Sequence, residues 1–167
     1  MGFDLYGLNP KAKTPRPEWT KGEVTIQTSK DNFTIDPQIK EEYDDFIKRK
    51  LAWEDETSGS YFRNNVWFWR PLWTFVCSNC DDFLTDEDAR GGSFNDGYTI
   101  GKTKAKKIAQ RLRKLLKNGE VSAYKAMYDR HIDKMSDNSF DKHYPFTIEN
   151  VKRFERFCEL SGGFDIC

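Results

Sequence analysis

No stretch of this chain approaches the roughly 20 apolar residues that span a bilayer. The opening MGFDLYGLNP lacks the basic-then-apolar order of a signal peptide, and Tyr6 stands where a myristoylation signal wants Ser or Thr. A soluble cytoplasmic protein is the expectation. Net charge is missing as well. The 27 basic and 27 acidic residues cancel, so no global field draws the molecule to nucleic acid or anionic lipid. Histidine is scarce, with His131 and His143 alone. There is no Ser-His-Asp order, no HExxH and no phosphate-cradling glycine loop; Gly91-Gly92 is followed by turn residues, not by a helix carrying lysine. Carboxylates are abundant but no pair is marked out, so the reading leans away from an enzyme.

Cysteine is sparse. Cys77 and Cys80 form a CxxC, but Cys158 and Cys167 have eight residues between them and make no second zinc knuckle. No strand leads into Cys77-Ser78-Asn79-Cys80 as a thioredoxin-like site requires. Free, buried or half-buried thiols are expected, with no metal and no cofactor.

What the chain does have is aromatic side chains, 15% of the total. Tyr61, Phe62, Trp67, Phe68, Trp69, Trp73 and Phe75 fall within fifteen residues, interleaved with Arg63, Asn64, Asn65 and Arg70. If all the rings are core, their polar neighbours are buried too, and each unsatisfied group costs roughly 1–3 kcal/mol. One solution is structural: the arginines stack on tryptophan and pair with carboxylates, and the asparagines bond helix ends. The other is a pocket of ring walls and guanidinium forks for a planar anion such as a nucleobase with its phosphates. The pocket reading assigns Arg63, Asn64, Asn65, Trp67, Trp69, Arg70 and Trp73 to the ligand, with Asn95 and Asp96 reading its edges.

A chain of 167 residues suits one domain with a real core, in which 21–57 reads as an inserted hairpin plus helix. Prolines 10, 15 and 17 mark the first twenty residues as an extended lead-in that buries Phe3, Leu5 and Leu8. Gly2-Phe3-Asp4-Leu5 echoes Gly163-Phe164-Asp165-Ile166, which suggests that the two ends pair. Alternation over 23–35 predicts a hairpin. Asp36-Pro37 opens a helix to Trp53 with Ile39, Tyr43, Phe46, Ile47 and Leu51 inward and an acidic outer face. Pro71 predicts a helix opening at Arg70-Pro71, with Tyr61–Trp69 as a separate turn, short helix or kinked entry. Thr85 caps a short helix ended by Gly91-Gly92.

Lys102–Lys117 predicts a helix with Ala105, Ile108, Ala109, Leu112, Leu115 and Leu116 inward and eight cations, no acid, elsewhere. Its exposed set Lys102, Lys106, Lys107, Arg113, Lys114 and Lys117 is a candidate nucleic-acid face, although a solvated surface explains it as well. Val121–Met135 makes an antiparallel partner, with Val121, Tyr124, Tyr128, Ile132 and Met135 inward, and Thr147 caps the last helix. The sum is an α+β, mostly α domain of about five helices with a small β-hairpin.

The pieces MGFDLYGLNP, YFRNNVWFWRPLW, FNDG before KTKAKKIAQRL, and YPFTIENVKRFERFCELSGGF resemble a group of small proteins encoded by tailed bacteriophages. The aromatic block carries the specificity of that likeness, and Lys21 to Thr57 lies outside it. The resemblance implies an accessory protein of the infected bacterial cytoplasm that counters host defence. It would do so by sequestering a nucleotide-like ligand or by blocking a host protein; nucleic acid ranks behind these, a membrane is not expected, and self-association stays open.

Overall fold

The computed structural model describes residues 2–21, 37–137 and 139–167. The hairpin expected at 23–35 and the Asp36 cap lie outside them. The described elements are β1 (Gly2–Gly7), α1 (Pro37–Glu56), β2 (Tyr61–Asn65), α2 (Val66–Asn79), α3 (Asp86–Gly91), β3 (Tyr98–Gly101), α4 (Lys102–Lys117), α5 (Glu120–Asp133), a 3-10 turn (Phe140–His143), α6 (Ile148–Leu160) and β4 (Gly163–Ile166). The class is α+β and mostly helical. Among the described residues there are six α-helices, where about five were expected, and an antiparallel sheet of order β2-β1-β4-β3. No helix among them is long and apolar enough to cross a membrane.

The chain divides into two compact units, Ala12–Thr57 and the remainder. In the larger one the echo between the two ends is a strand pair. Leu5 lies opposite Ile166 and Gly7 opposite Phe164, which sets β1 and β4 side by side in the centre of the sheet. Period-two alternation turns Phe3, Leu5, Phe62, Ile100, Phe164 and Ile166 to one buried face. Asp4, Tyr6, Arg63 and Thr99 fall on the other. Helices α2, α4 and α6 cover the buried face. Gly7 lies against the Gly59 carbonyl so closely that a β-carbon there would collide with it, which is why β1 ends on glycine. Leu8, expected inside, is exposed because the chain has left the sheet by then.

Pro71 does not open a helix. Tyr61–Asn65 is a strand paired with β1, and α2 starts at Val66 because the Asn65 side chain accepts from the Phe68 N–H at 3.1 Å. Pro71 is therefore inside the helix, where it removes the bond to the Trp67 carbonyl at a cost of about 3 kcal/mol. Burial of Trp69, Leu72, Trp73 and Val76 from the same helix offsets that loss. β3 was not anticipated: four residues joined directly to α4 leave no room for a turn signal. The principal helical neighbour of α4 is α6, not α5.

In the smaller unit, Trp19 packs edge-on against Tyr43 at 5.3 Å and beside Phe46 at 5.5 Å. Trp53 is buried and donates from Nε1 to the Thr14 carbonyl at 2.9 Å. Ile39 and Leu51, expected inward, are exposed, so large rings set the buried face of α1.

Candidate functional site

The expected site residues do not converge on one pocket. Trp69 and Trp73, assigned as pocket walls, are core. Their rings stack at 5.3 Å and 12°, Phe3 stacks on the far side of Trp69 at 5.4 Å, and Phe154 meets Trp69 edge-on. Both indole N–H groups are used internally, Trp69 donating to the Gly92 carbonyl at 2.8 Å and Trp73 to Ala89 at 3.0 Å. These are carbonyls at the end of α3 that lack helical partners. A β-carbon on Gly92 would fall inside the Trp73 ring, so glycine ends α3 here to admit the indole.

The polar members of the block scatter for equally local reasons. Asn64 is buried and donates to Asn150 Oδ1 at 3.0 Å, while Asn150 Nδ2 donates to the Phe68 carbonyl at 3.2 Å. Asn65 is the α2 cap. Arg63 projects from the open face of the sheet, 3.5 Å from Asp4, and Asp4 also accepts from the Tyr61 hydroxyl. Asn95 donates to the Gly2 carbonyl at 3.0 Å, and Asp96 is exposed in the adjoining turn. These residues do not line one common opening.

Arg70 and Trp67 are different. Trp67 is half-buried, with ring centroids 5.1 Å from Phe140, 5.7 Å from His143 and 5.0 Å from Tyr144. Arg70 has no carboxylate partner among the described residues; it donates to the Tyr144 hydroxyl at 3.4 Å and lies 5.9 Å from that ring's centroid. Both border a cleft of about 400 Å³ between α2, α5 and the 140–144 turn, or pack on residues that line it. Its walls include Tyr124, Tyr128, Ile132, Met135, Phe140 and Tyr144, with Arg70, His131 and Asp141 as ionisable groups.

The cleft is held open by its own bonds. Tyr128 donates to the Tyr144 carbonyl at 2.6 Å, and Phe146 packs beneath Tyr124 and Tyr128. Burial pushes the hydroxyls of Tyr124 and Tyr128 above the usual phenol range, so both are neutral donors at physiological pH. The spacing on α5 predicts Tyr124, Tyr128, Ile132 and Met135 inward, but gives no signal of the residues that face them across the cleft. All four line the cleft and remain only partly buried.

The cations of α4 divide into two sets. Lys104 pairs with Asp88 at 2.6 Å, Arg111 with Asp82 at 2.8 Å, and Arg113 with Glu155 and Glu159 at 2.5 and 3.0 Å. Lys102, Lys106, Lys107, Lys114 and Lys117 are exposed. Among the described residues no group of three His, Cys, Asp or Glu is placed to hold a metal ion. Burial raises the Cys77 thiol to about 11 and Cys80 to about 12, which removes their value as nucleophiles.

The chain matches no protein-family model, no curated protein and no solved structure.

Proposed function

We propose that this is a small, non-enzymatic binding protein that takes a planar anion of nucleotide type into the cleft between α2, α5 and the 140–144 turn. The observation that carries the reading is Arg70, whose guanidinium stands at a ring-lined opening beside Tyr144 and forms no ion pair with a carboxylate among the described residues, Asp141 of the same lining included. A guanidinium fork suits a phosphate, and tyrosine faces suit a base. In this reading Arg70 anchors charge, Tyr128 and Tyr144 provide stacking area, and His131 adds a second donor. Trp67 stiffens the turn from behind. Arg63, Asn64, Asn65, Trp69, Trp73, Asn95 and Asp96 are released from the ligand-binding role. The resemblance to small tailed-phage proteins gives the setting: an accessory protein in an infected cell that sequesters a host nucleotide signal.

Calorimetric titration against linear and cyclic nucleotides tests this. Saturable heat that is lost in Arg70→Gln and weakened tenfold or more in Tyr144→Ala is expected. No heat for any nucleotide at millimolar concentration contradicts it. A second reading has its own support: Phe140 on the cleft rim and Met127 on α5 are 63% and 55% exposed, as aromatic and methionine anchors of a protein interface are. Recovery of one bacterial protein by the wild type and not by Phe140→Ala, together with nucleotide-silent calorimetry, favours that reading over the first.

A further inference from the structure

The crest of α4 is a second charged surface, remote in composition from the aromatic cleft. Lys104, Arg111 and Arg113 are consumed by acids on α3, the 80–84 loop and α6, so that internal ion pairs fix both flanks of the helix. The cations between those flanks are left over. Lys106 and Lys117, eleven residues apart, share one row, and Lys107 and Lys114, seven apart, share the next. Thr103 and Gln110 lie between the rows, and all six are exposed. None of the four lysines has a carboxylate partner among the described residues; Lys107 lies over the Phe83 ring, at 5.4 Å. The neutral total charge thus conceals a helix face that is cationic throughout.

We infer that the α4 crest binds the phosphodiester backbone of a nucleic acid without reading its sequence. Charge complementarity and dimension carry the inference. From Lys106 to Lys117 the helix rises about 16 Å, along which one strand of a duplex offers about five phosphates. A bilayer surface is a poorer occupant, because an interfacial helix inserts an apolar face and the apolar face of α4 is buried against the core. A protein partner fits less well, since lysine is depleted from interface centres and the crest presents no ring or aliphatic anchor. Lysine, threonine and glutamine at this spacing contact phosphate rather than base edges.

Fluorescence anisotropy with a labelled DNA duplex, an RNA duplex and a single strand tests the inference and separates the sources of backbone. With four phosphate contacts, duplex affinity is expected to fall roughly a hundredfold between 50 and 200 mM salt. The variant K106Q/K114Q/K117Q is expected to lose most of that salt dependence while melting like the wild type. Should that triple variant fold poorly, K114Q and K117Q taken singly are each expected to lower the logarithmic salt slope by about 0.9. Three results overturn the inference. They are no binding to any strand at 50 mM salt, a salt slope that the variants leave unchanged, and equal competition by vesicles of one part phosphatidylserine to four of phosphatidylcholine.

Discussion

At the scale of single residues, Asp88 joins three elements, α3, β3 and α4. It is 1% exposed and accepts from the Thr85 backbone and hydroxyl, from Tyr98 and from Lys104. Burial alone would raise its pKa; the bonds from Lys104, Thr85 and Tyr98 outweigh burial and hold the carboxyl below its usual value. Its stabilising contribution is therefore present above the unfolded carboxyl's pKa of about 3.9 and is lost as pH falls through the lower folded value. Asp88→Ala removes the carboxylate half of the α3 capping box and strands Lys104, and should cost about 2–4 kcal/mol at pH 7 in urea unfolding. The difference from wild type should shrink below pH 4. The thiols offer a second check. Burial raises Cys77, Cys80 and Cys158, whereas Cys167 is exposed. At pH 8 an aromatic disulfide reagent should titrate one cysteine quickly in the folded protein and all four after denaturation.

At the scale of elements, one amide pair ties β2, α2 and α6 together. Asn150 accepts from Asn64 and donates to the Phe68 carbonyl. Asn150→Ala should cost about 1–3 kcal/mol, because it leaves a buried amide and a carbonyl short of partners. Adding Asn64→Ala should cost less than the sum of the two single changes, which a double-mutant cycle in chemical denaturation will read. Elements whose signals are local were legible in the sequence. The bounds of α4 follow from its apolar period, and α3 follows from its capping box of Thr85 and Asp88. The tail echo marked the β1–β4 pair. Less legible was whatever depends on partners far along the chain. Whether Tyr61–Asn65 is a turn or a strand is decided by β1, and whether Trp69 is a wall or a core ring is decided by Phe3, Gly92 and Phe154. The same limit applies to the cleft. Arg70 stood out among the rings, but its surroundings come from residues 124–144, which meet α2 only in the folded state.

At the scale of the whole molecule, the larger unit has its own core, to which none of the described residues of Ala12–Thr57 contributes. Lys11 donates to the Leu160 carbonyl at 3.1 Å, and Gly59 packs against the same residue, so the chain ends flanking the smaller unit are neighbours. Replacing Ala12–Thr57 with a short Gly-Ser linker should therefore leave a cooperatively melting domain with the sheet intact, as circular dichroism and amide-proton dispersion will show. Loss of the cooperative transition would mean that the larger core is incomplete alone. The central claim, that the Arg70 cleft and not the tryptophan stack receives an anionic ligand, is tested most directly by nuclear magnetic resonance of the full chain titrated with nucleotides. The account predicts saturable shifts at the Arg70 Nε–H and at the Tyr128 and Tyr144 rings, with the Trp69 and Trp73 indole N–H signals unmoved. Shifts centred on those two indoles, or none in the cleft at millimolar ligand, would contradict it.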